Sequence, residues 1–338
     1  MVKTCLVTGG LGYIGSHICV ELLNSDYDLI IIDNLSNSKI EKLNHIKKFN
    51  KFNNHIYFYH IDLVNKDSLI KICEDFLNEI QNKQTIDIII HLAGLKSVNE
   101  SVSEPIKYYN TNLISTINLF EIMEIYGIKN FIFSSSSTVY GSTSNPPYYE
   151  DTQTGLGITN PYGRTKFIQE EMLKDIQHSK KDWNIILLRY FNPIGHLNNN
   201  FKEDPSGIPN NLFPYIVRVY NKQIDKLTIF GSDYETRDGT CSRDFVHVVD
   251  LANAHKTCCD FLISKKIEGL KIYNVGTGKD TTVLELIKTF EEINKCKIEY
   301  EFGERRQGDL ETSYSNVDLI KKELGWSAKY SISDSVKL

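Results

Sequence analysis

The chain has 338 residues, of which 41% are hydrophobic and 24% are charged, so it is long enough for about two globular domains. Its net charge of −5 and its pI near 6.0 argue against nucleic acid or a membrane surface as the main partner. Seven cysteines without a C-x-x-C pair, and nine histidines without metal-ligand spacing, indicate neither a disulfide framework nor a metal site. No apolar run approaches ~18 residues and no signal peptide is evident, so we expect a cytoplasmic enzyme or binding protein.

The first half of the chain alternates short apolar runs with helical patterns. The apolar runs predict strands over residues 4–9, 28–33, 55–61, 86–93, 129–136 and 183–190. The helical patterns predict helices over residues 14–24, 66–81, 105–126 and 160–178. These strands are continuously apolar, as in a parallel sheet that is covered on both faces. The regular alternation therefore predicts an α/β fold with a doubly wound, Rossmann-like parallel sheet.

The second half has a less regular pattern. Residues 193–245 are rich in Asn, Pro, Gly and Asp, with one predicted helix near 212–222, and a strand and helices return over 271–294. We therefore predict a first domain over residues 1–192. Residues 193–338 would form a second, smaller α/β domain, with some segments rejoining the first.

A glycine-rich turn follows the first predicted strand. Gly9, Gly12 and Gly15 form G-x-x-G-x-x-G at the start of a predicted helix, whose free N–H groups suit a pyrophosphate. Asp33 ends the second predicted strand, where a carboxylate can accept a hydrogen bond from the ribose 2′-hydroxyl and would repel a 2′-phosphate. The pattern predicts NAD rather than NADP. The alternative is a plain glycine turn with a capping aspartate.

The segment "NPYGRTK" places Tyr162 and Lys166 four residues apart, on one face of a predicted helix. Tyrosine is a weak base at neutral pH, because its pKa is near 10, but a nearby ammonium group and the cationic nicotinamide ring would favour the tyrosinate. The pair could then take a proton from a sugar hydroxyl while hydride leaves the same carbon. A Y-x-x-x-K match is short, and an ordinary helix surface is the alternative.

A hydroxyl-rich run, "FSSSSTVYG" over residues 133–141, lies at the end of the fifth predicted strand. Ligands of open α/β sheets bind at the carboxyl ends of the strands. Ser136 or Ser137 could therefore bond a substrate hydroxyl beside Tyr162. Turn-forming serines that cap a helix are the alternative.

Together, in this order and separation, the three motifs resemble the extended short-chain dehydrogenase/reductase family. The resemblance covers nearly the whole chain, through "VTGGLGYIGSH", "DNLSNS", "HLAGLKSVNESV", "NPYGRTK", "LRYFNPIG", "GIPNNLFPYI", "DGTCSRDFVHV", "RRQGDLETSY" and "ELGW". Within the family, the chain is similar to the enzymes that epimerise UDP-hexoses at C4. It departs from their pattern in "GRTK", where G-K-S-K is more usual, and in a short C-terminal end; neither should disturb Tyr162 or Lys166.

The resemblance implies a place for each part of NAD. Tyr13 and Ile14 would join Gly9, Gly12 and Gly15 on the pyrophosphate turn. The remaining implied contacts are Asp33, Asn34, Asn37 and Ser38 at the adenine ribose, Asp62 and Leu63 at the adenine, Leu92, Ala93, Gly94, Lys96 and Asn112 along the cofactor, and Tyr162, Lys166 and Phe191 at the nicotinamide end.

The resemblance likewise implies the catalytic and substrate groups. Tyr162 would be the base, Ser136 its hydroxyl partner and Lys166 the residue that tunes it. The implied UDP-sugar contacts are Lys96, Ser136, Tyr162, Asn192, Asn211, Leu212, Phe230, Arg243, Arg306, Asp309 and Ser313. Ser313 matches a position held by tyrosine in some members and by a small residue in others, which predicts room for an N-acetyl group.

The implied activity is NAD-dependent conversion between UDP-glucose and UDP-galactose through a 4-keto sugar, by a homodimer whose first domain binds NAD and whose second binds the UDP-sugar. All seven arginines lie at or after Arg164, and two of them, Arg243 and Arg306, fall in the segment expected to bind UDP. One alternative is a nucleotide-sugar dehydratase or decarboxylase, which the hydroxyl-only run over 133–141 disfavours. Another is an NAD-binding regulator without turnover.

Overall fold

The computed structural model describes residues 2–79, 85–203, 211–264, 266, 268–306 and 308–338. The strands are β1 (Lys3–Thr8), β2 (Tyr27–Asp33), β3 (Ile56–His60), β4 (Ile88–His91), β5 (Asn130–Ser136), β6 (Asn184–Tyr190), β7 (Asn192–Ile194), β8 (Leu227–Phe230), β9 (Ser242–Arg243), β10 (Phe245–His247), β11 (Leu270–Val275), β12 (Thr281–Thr282), β13 (Tyr300–Gly303) and β14 (Thr312–Ser313). The helices are α1 (Tyr13–Leu23), α2 (Glu41–Lys47), α3 (Lys66–Glu79), α4 (Val98–Ser103), α5 (Pro105–Tyr126), α6 (Pro161–Ser179), α7 (Leu212–Tyr220), α8 (Val248–Ile263), α9 (Val283–Asn294), α10 (Asp318–Leu324) and α11 (Ile332–Ser335).

A parallel sheet with the strand order β11-β6-β5-β4-β1-β2-β3 forms the centre of the molecule. β1 lies in its middle, where Leu6 pairs with Ile30 of β2 on one side and with Ile89 of β4 on the other. Successive β1 side chains point to opposite faces: Val7 packs with α1 and α8, and Leu6 packs with α3 and α5. Helices therefore cover both faces, which confirms the predicted doubly wound sheet.

The predicted helices of the first half agree closely with α1, α3, α5 and α6, except that residues 80 and 81 of the helix predicted over 66–81 lie outside the described residues. Helices α2, α4 and α8 are not among the predicted elements. In α8, Leu251, Ala252, Cys258 and Leu262 are buried against the sheet, while Asp250 and His255 of the same helix are also buried. This mixture of buried apolar and polar positions blurs the amphipathic period that predicts a helix.

The second half contributes both to the first sheet and to a smaller unit. β11 pairs with β6 in parallel, with Tyr273 opposite Leu188. The smaller unit contains the sheets β10-β7, β12-β9-β14 and β13-β8, and its core is built by α7, α9 and β8 around Ile216, Phe290 and Ile229. None of the helices in the described ranges is both long enough and apolar enough to cross a membrane.

Candidate active site

Two clefts open at the carboxyl ends of the central strands. The first has a volume of about 340 Å³ and runs past the ends of β1, β2 and β4. The second has a volume of about 380 Å³ and lies between the end of β5 and the smaller unit. The clefts share Ile14, Lys96, Tyr162 and Tyr190. Tyr162 therefore lies where ligands in the two clefts would meet.

The glycine turn at the first cleft has no space for side chains. Gly9 has φ +67°, and a Cβ on Gly15 would lie 2.2 Å from the Gly9 carbonyl oxygen. Gly12 caps α1 without any capping side chain, and Gly12, Tyr13 and Ile14 line the cleft. The N-terminus of α1 is therefore open to the cleft, with backbone N–H groups and a positive dipole end that fit a pyrophosphate.

Asp33 fixes the turn and still has capacity for a ligand. Its Oδ2 accepts a 2.9 Å hydrogen bond from the Leu11 N–H, and its Oδ1 accepts bonds from the Leu35 N–H at 2.9 Å and the Ser38 hydroxyl at 2.8 Å. A carboxylate has about four acceptor positions, so one remains for a ribose hydroxyl. The negative charge disfavours a 2′-phosphate at the same place. The residues present therefore fit NAD.

Most of the residues implied for the cofactor line the first cleft. These are Gly9, Gly12, Tyr13, Ile14, Gly15, Asp33, Asn34, Asn37, Ser38, Asp62, Leu63, Leu92, Ala93, Gly94, Lys96, Tyr162 and Lys166. Asn112 and Phe191 are not among the described residues of its wall. Asn112 is buried and instead shapes the wall, because its Oδ1 accepts from the Leu95 N–H at 2.8 Å and its Nδ2 donates to Thr165 at 3.0 Å. Phe191 lines the second cleft.

Tyr162 lies in the first turn of α6. The helix begins at Pro161 after Asn160, whose side chain accepts a 2.8 Å hydrogen bond from the Gly163 N–H. Burial raises the pKa of Tyr162, while a hydrogen bond with Ser136 and the positive charge of Lys96 oppose this rise. The hydroxyl pair expected from the sequence is therefore present, and Lys96 supplies the nearby cation.

Lys166 lies one turn further along α6 and is buried. Its Nζ donates a 2.6 Å hydrogen bond to the Ser134 carbonyl oxygen. Burial lowers its pKa to about 7, although the Glu170 carboxylate favours the charged form. In the structure the cation expected to tune Tyr162 is thus bonded to the backbone of β5, and the tuning role assigned to Lys166 remains a prediction.

The second cleft is lined by Lys96, Ser136, Tyr162, Asn192, Asn211, Arg243, Arg306, Asp309 and Ser313 from the set implied for the substrate. Arg243 and Asp309, which are half-buried, form an ion pair with each other. Two implied residues, Leu212 and Phe230, are not among its described lining residues. Leu212 begins α7 and packs against the core of the smaller unit, and Phe230 stacks with the Arg306 guanidinium at 3.9 Å from the ring centroid.

Two residues that the sequence analysis does not single out also reach the clefts. Tyr190 ends β6 and lines both, and its place at the carboxyl end of a predicted strand is a signal that could have found it. Glu203 lines the first cleft and forms a 2.9 Å ion pair with Lys96, 107 residues earlier in the chain. No local pattern marks Glu203, because it lies in an irregular segment. Among the described residues, no group of three or more His, Cys, Asp or Glu side chains could hold a metal ion.

Comparison with known proteins gives matches over almost the whole chain. Residues 6–338 match the family model described as GDP-mannose 4,6 dehydratase. UDP-glucose 4-epimerase of Bacillus subtilis (strain 168) is 45% identical over 330 residues, which cover 97% of this chain and 93% of that protein.

Solved structures agree with this. The crystal structure of UDP-glucose 4-epimerase from Bifidobacterium longum in complex with NAD+ and UDP has a TM-score of 0.91 at 41% identity, covering 99% of this chain and 96% of that one. The UDP-Glc/GlcNAc 4-epimerase from Campylobacter jejuni has a TM-score of 0.82 at 31% identity, covering 99% of this chain and 98% of that one. Likeness of sequence and fold over this length shows common descent, and the chain belongs to the UDP-glucose 4-epimerases of the extended short-chain dehydrogenase/reductase family.

Proposed function

We propose that this protein interconverts UDP-glucose and UDP-galactose by NAD-dependent epimerisation at C4 of the sugar. One observation carries the proposal: Tyr162, hydrogen-bonded to Ser136, lies at the junction of a cleft that fits a dinucleotide and a cleft with two arginines. A sugar in the second cleft would have its reacting carbon beside both the base and the cofactor. That arrangement suits a reaction in which a proton and a hydride leave one carbon.

Tyr162 and Ser136 act together on the sugar hydroxyl. Tyr162, as the tyrosinate, accepts the proton of the sugar 4′-hydroxyl, while Ser136 bonds the same oxygen and orients it. NAD, held by the residues of the first cleft, would supply reversible hydride transfer at C4, with the 4-keto sugar turning over between the two transfers. Tyr162 then gives the proton back. The chain's acid–base group and its cofactor both end the cycle in their starting states.

The UDP part would be bound away from the reacting carbon. Arg243 and Arg306 line the second cleft and provide the guanidinium groups that suit phosphate oxygens. Arg243 is already paired with Asp309, so a diphosphate binds there only by sharing or replacing that carboxylate. Binding energy spent on UDP leaves the sugar free to rotate about its bond to the phosphate, which inversion at C4 requires.

A dehydratase is the alternative that the description of the matching family model suggests. A dehydratase needs an additional acid/base pair beside the serine. Among the described residues that line the second cleft, Asp309 is the only acid, and it is paired with Arg243. Glu170, which accepts a hydrogen bond from Ser135, is buried and paired with Arg189. These side chains favour epimerisation.

We propose further that N-acetylated UDP-sugars are accepted. Ser313 lines the second cleft and is hydrogen-bonded to Tyr148, and its small side chain leaves space that a large aromatic residue would fill. The likeness to the UDP-Glc/GlcNAc 4-epimerase from Campylobacter jejuni is consistent with this. Rapid conversion of UDP-glucose and UDP-galactose with no change of UDP-GlcNAc would exclude the extension.

We also propose a cytoplasmic homodimer, with residues 1–192 as the NAD-binding domain and residues 193–338 as the UDP-sugar domain. Exposed apolar side chains of α4 and α5 support a second copy as the partner: Val102, Ile106 and Ile117 are exposed, and Ile106 is 74% exposed. Sedimentation equilibrium of the wild type and of Ile106→Glu tests the dimer, since a monomeric wild type would contradict it.

An assay on UDP-galactose tests the function. The protein is incubated with UDP-galactose in two conditions, the first without added NAD and the second with a trace of NAD. The nucleotide sugars are then separated by chromatography. We expect UDP-glucose with no net NADH in at least the second condition. A 4-keto-6-deoxy product would indicate a dehydratase, and NAD binding without any product would indicate a regulator.

A further inference from the structure

One carboxylate connects the two clefts. Oε1 of Glu203 accepts hydrogen bonds from Nζ of Lys96 at 2.9 Å and from Nδ2 of Asn211 at 3.0 Å. Lys96 lines both clefts and Asn211 lines the second. The Glu203 side chain is 9% exposed and the Lys96 side chain is 42% exposed, so the carboxylate is the more enclosed partner of the pair. The reaction as described above has no step that uses this carboxylate.

The fold places Glu203 at this junction. The preceding segment is anchored on α1, the helix that opens the first cleft: the Tyr13 hydroxyl donates to the Gly195 carbonyl oxygen at 2.6 Å, and the Leu197 N–H donates to His17 Nε2 at 3.1 Å. The ring of Phe201 packs on the ring of His17, with centroids 5.4 Å apart. Glu203 therefore follows a segment that is fixed to the cofactor-binding helix.

The charges at the junction conflict with an anionic substrate. The diphosphate of a UDP-sugar is negative, and Lys96 and Asn211 belong to the set implied to bind that substrate. Each donor already bonds Glu203, so a substrate group that takes either donor must displace this carboxylate. Binding of the substrate and the Glu203 contacts are therefore in competition.

We propose, on the basis of the function proposed above, that Glu203 is a positioning residue that holds Lys96 and Asn211 in the free enzyme and releases them when a UDP-sugar enters the second cleft. Release directs the Lys96 ammonium group toward Tyr162 and the sugar. The tyrosinate form of Tyr162, which accepts the proton, is then favoured in the substrate complex.

The electrostatic interactions of Lys96 with Glu203 and Tyr162 support this order of events. Desolvation of the ammonium group opposes its charge, but the Glu203 carboxylate and, more weakly, Tyr162 together raise the pKa of Lys96. The Lys96 charge in turn lowers the pKa of Tyr162 against the rise caused by burial. The ionisable groups that face Tyr162 are Lys96, Lys166 and Tyr190. Those that face Glu203 are Lys96 and Tyr13. None of these neighbours in the described part of the chain is a carboxylic acid, so Glu203 is the acid of the group.

The test is Glu203→Gln in the full-length protein, which keeps the shape of the side chain and removes its charge. Calorimetry with UDP measures affinity, and assays on UDP-galactose across pH give profiles of kcat and of kcat/KM. We expect UDP to bind about threefold or more tightly, because an internal anion no longer competes. The acid limb of kcat/KM, which reports the free enzyme, should move down by about 0.5 pH unit. The acid limb of kcat should stay in place, because Glu203 is already displaced in the substrate complex.

The controls separate charge from structure. Glu203→Asp keeps the charge on a shorter side chain, so its acid limb of kcat/KM should lie closer to that of the wild type than the limb of Glu203→Gln does. Glu292→Gln removes a charge from an exposed position of α9 and should change neither the UDP affinity nor the pH profiles. Glu203→Ala repeats the test should the glutamine variant fail to fold, as judged by circular dichroism. Weaker or unchanged UDP binding, or an equal shift of both profiles, would overturn the proposal. Should the wild type lack epimerase activity, the proposed function fails, while the UDP affinities still decide the role of Glu203.

Discussion

The ammonium group of Lys166 donates a 2.6 Å hydrogen bond to the carbonyl oxygen of Ser134, two residues before Ser136 in β5. The Lys166 side chain is 6% exposed, and its Nζ lies 4.7 Å from the centroid of the Phe133 ring. Burial lowers its pKa to about 7, with Glu170 opposing. A lysine that is expected to serve catalysis is therefore kept in a place that disfavours its own charge.

Lys166→Met should lower turnover by about 100-fold and remove one component of the pH dependence of stability. Below pH 7 Lys166 is charged in the folded and unfolded states. Between its folded pKa of about 7 and its ordinary 10.5, the unfolded state binds the additional proton, so the free energy of unfolding rises with pH. The rise is at most about 1.4 kcal/mol per pH unit.

Urea unfolding of the cofactor-free protein at about pH 7.0 and about pH 8.5 gives the change in the free energy of unfolding with pH. The difference in this change between wild type and Lys166→Met measures the component due to Lys166. Taking the difference cancels the other titrating groups. Lys174→Met, at a half-buried position of the same helix where the ammonium group pairs with Glu171, is the matched control and should keep the wild-type slope. Equal slopes in wild type and Lys166→Met would show that Lys166 is charged in the folded protein throughout this range.

Tyr162→Phe should bind NAD and UDP with nearly wild-type affinity and lose most of its turnover. The substitution removes the hydroxyl that accepts the sugar proton and keeps the ring at the junction of the clefts. A loss of about 100- to 10,000-fold in kcat is expected for removal of a general base. Single-turnover assays with UDP-galactose check this, and near-full activity would rule out Tyr162 as the base.

Gly15→Ala should abolish NAD retention and destabilise the protein by about 1–3 kcal/mol. The added Cβ would lie 2.2 Å from the Gly9 carbonyl oxygen, so the turn must open. Gly303→Ala is the control, since its Cβ would meet a Thr228 side-chain methyl at 3.0 Å, far from the turn and able to move. A binding titration with NAD, followed by protein fluorescence, measures the first effect, and urea unfolding measures the second. Wild-type NAD affinity in Gly15→Ala would contradict the close packing of this turn.

Arg243→Met should weaken UDP binding by about 10- to 100-fold, because it removes a guanidinium group and leaves the Asp309 carboxylate unpaired beside the phosphates. Asp309→Asn should have a smaller effect, since Arg243 stays free to bind phosphate. Arg237→Met removes an exposed arginine paired with Asp280 and Glu285 and is the control for loss of charge. Calorimetry with UDP ranks the variants. Equal losses in Arg243→Met and Arg237→Met would mean that general charge, and no specific contact, governs affinity.

Ser313→Tyr should reduce activity on UDP-GlcNAc by more than tenfold and leave activity on UDP-galactose within about threefold. The tyrosine ring would occupy cleft volume that an N-acetyl group requires and an unsubstituted hydroxyl does not. The measurement is kcat/KM on both substrates for wild type and variant. An equal loss on both would indicate that Ser313 matters through its hydrogen bond with Tyr148.

The parts of the fold and site that could be predicted are those encoded by neighbours in sequence. The glycine turn and Asp33 belong to one β-α-β unit, so a strand, a turn and a second strand suffice to bring them together. Tyr162 and Lys166 are close because of helical geometry alone. These features need no knowledge of the distant chain.

Side-chain pairs across the chain could not be predicted in this way. Lys96 and Glu203 are 107 residues apart, and Asn112 and Thr165 are 53 residues apart. Their contacts depend on the packing of elements whose relative positions no periodicity specifies. The sequence therefore indicated Lys166 as the lysine that tunes Tyr162, without indicating that the Lys96 charge acts on Tyr162 while Lys166 bonds the backbone of β5.

The position of β11 has a consequence for how the protein is made. β6, whose last residue Tyr190 lines both clefts, is flanked by β5 on one side and by β11 on the other, and β11 spans Leu270–Val275. During synthesis from the N-terminus, β6 remains an open sheet edge until most of the chain has left the ribosome. A fragment that ends before β11 therefore keeps an exposed strand edge, at which it can pair with another chain.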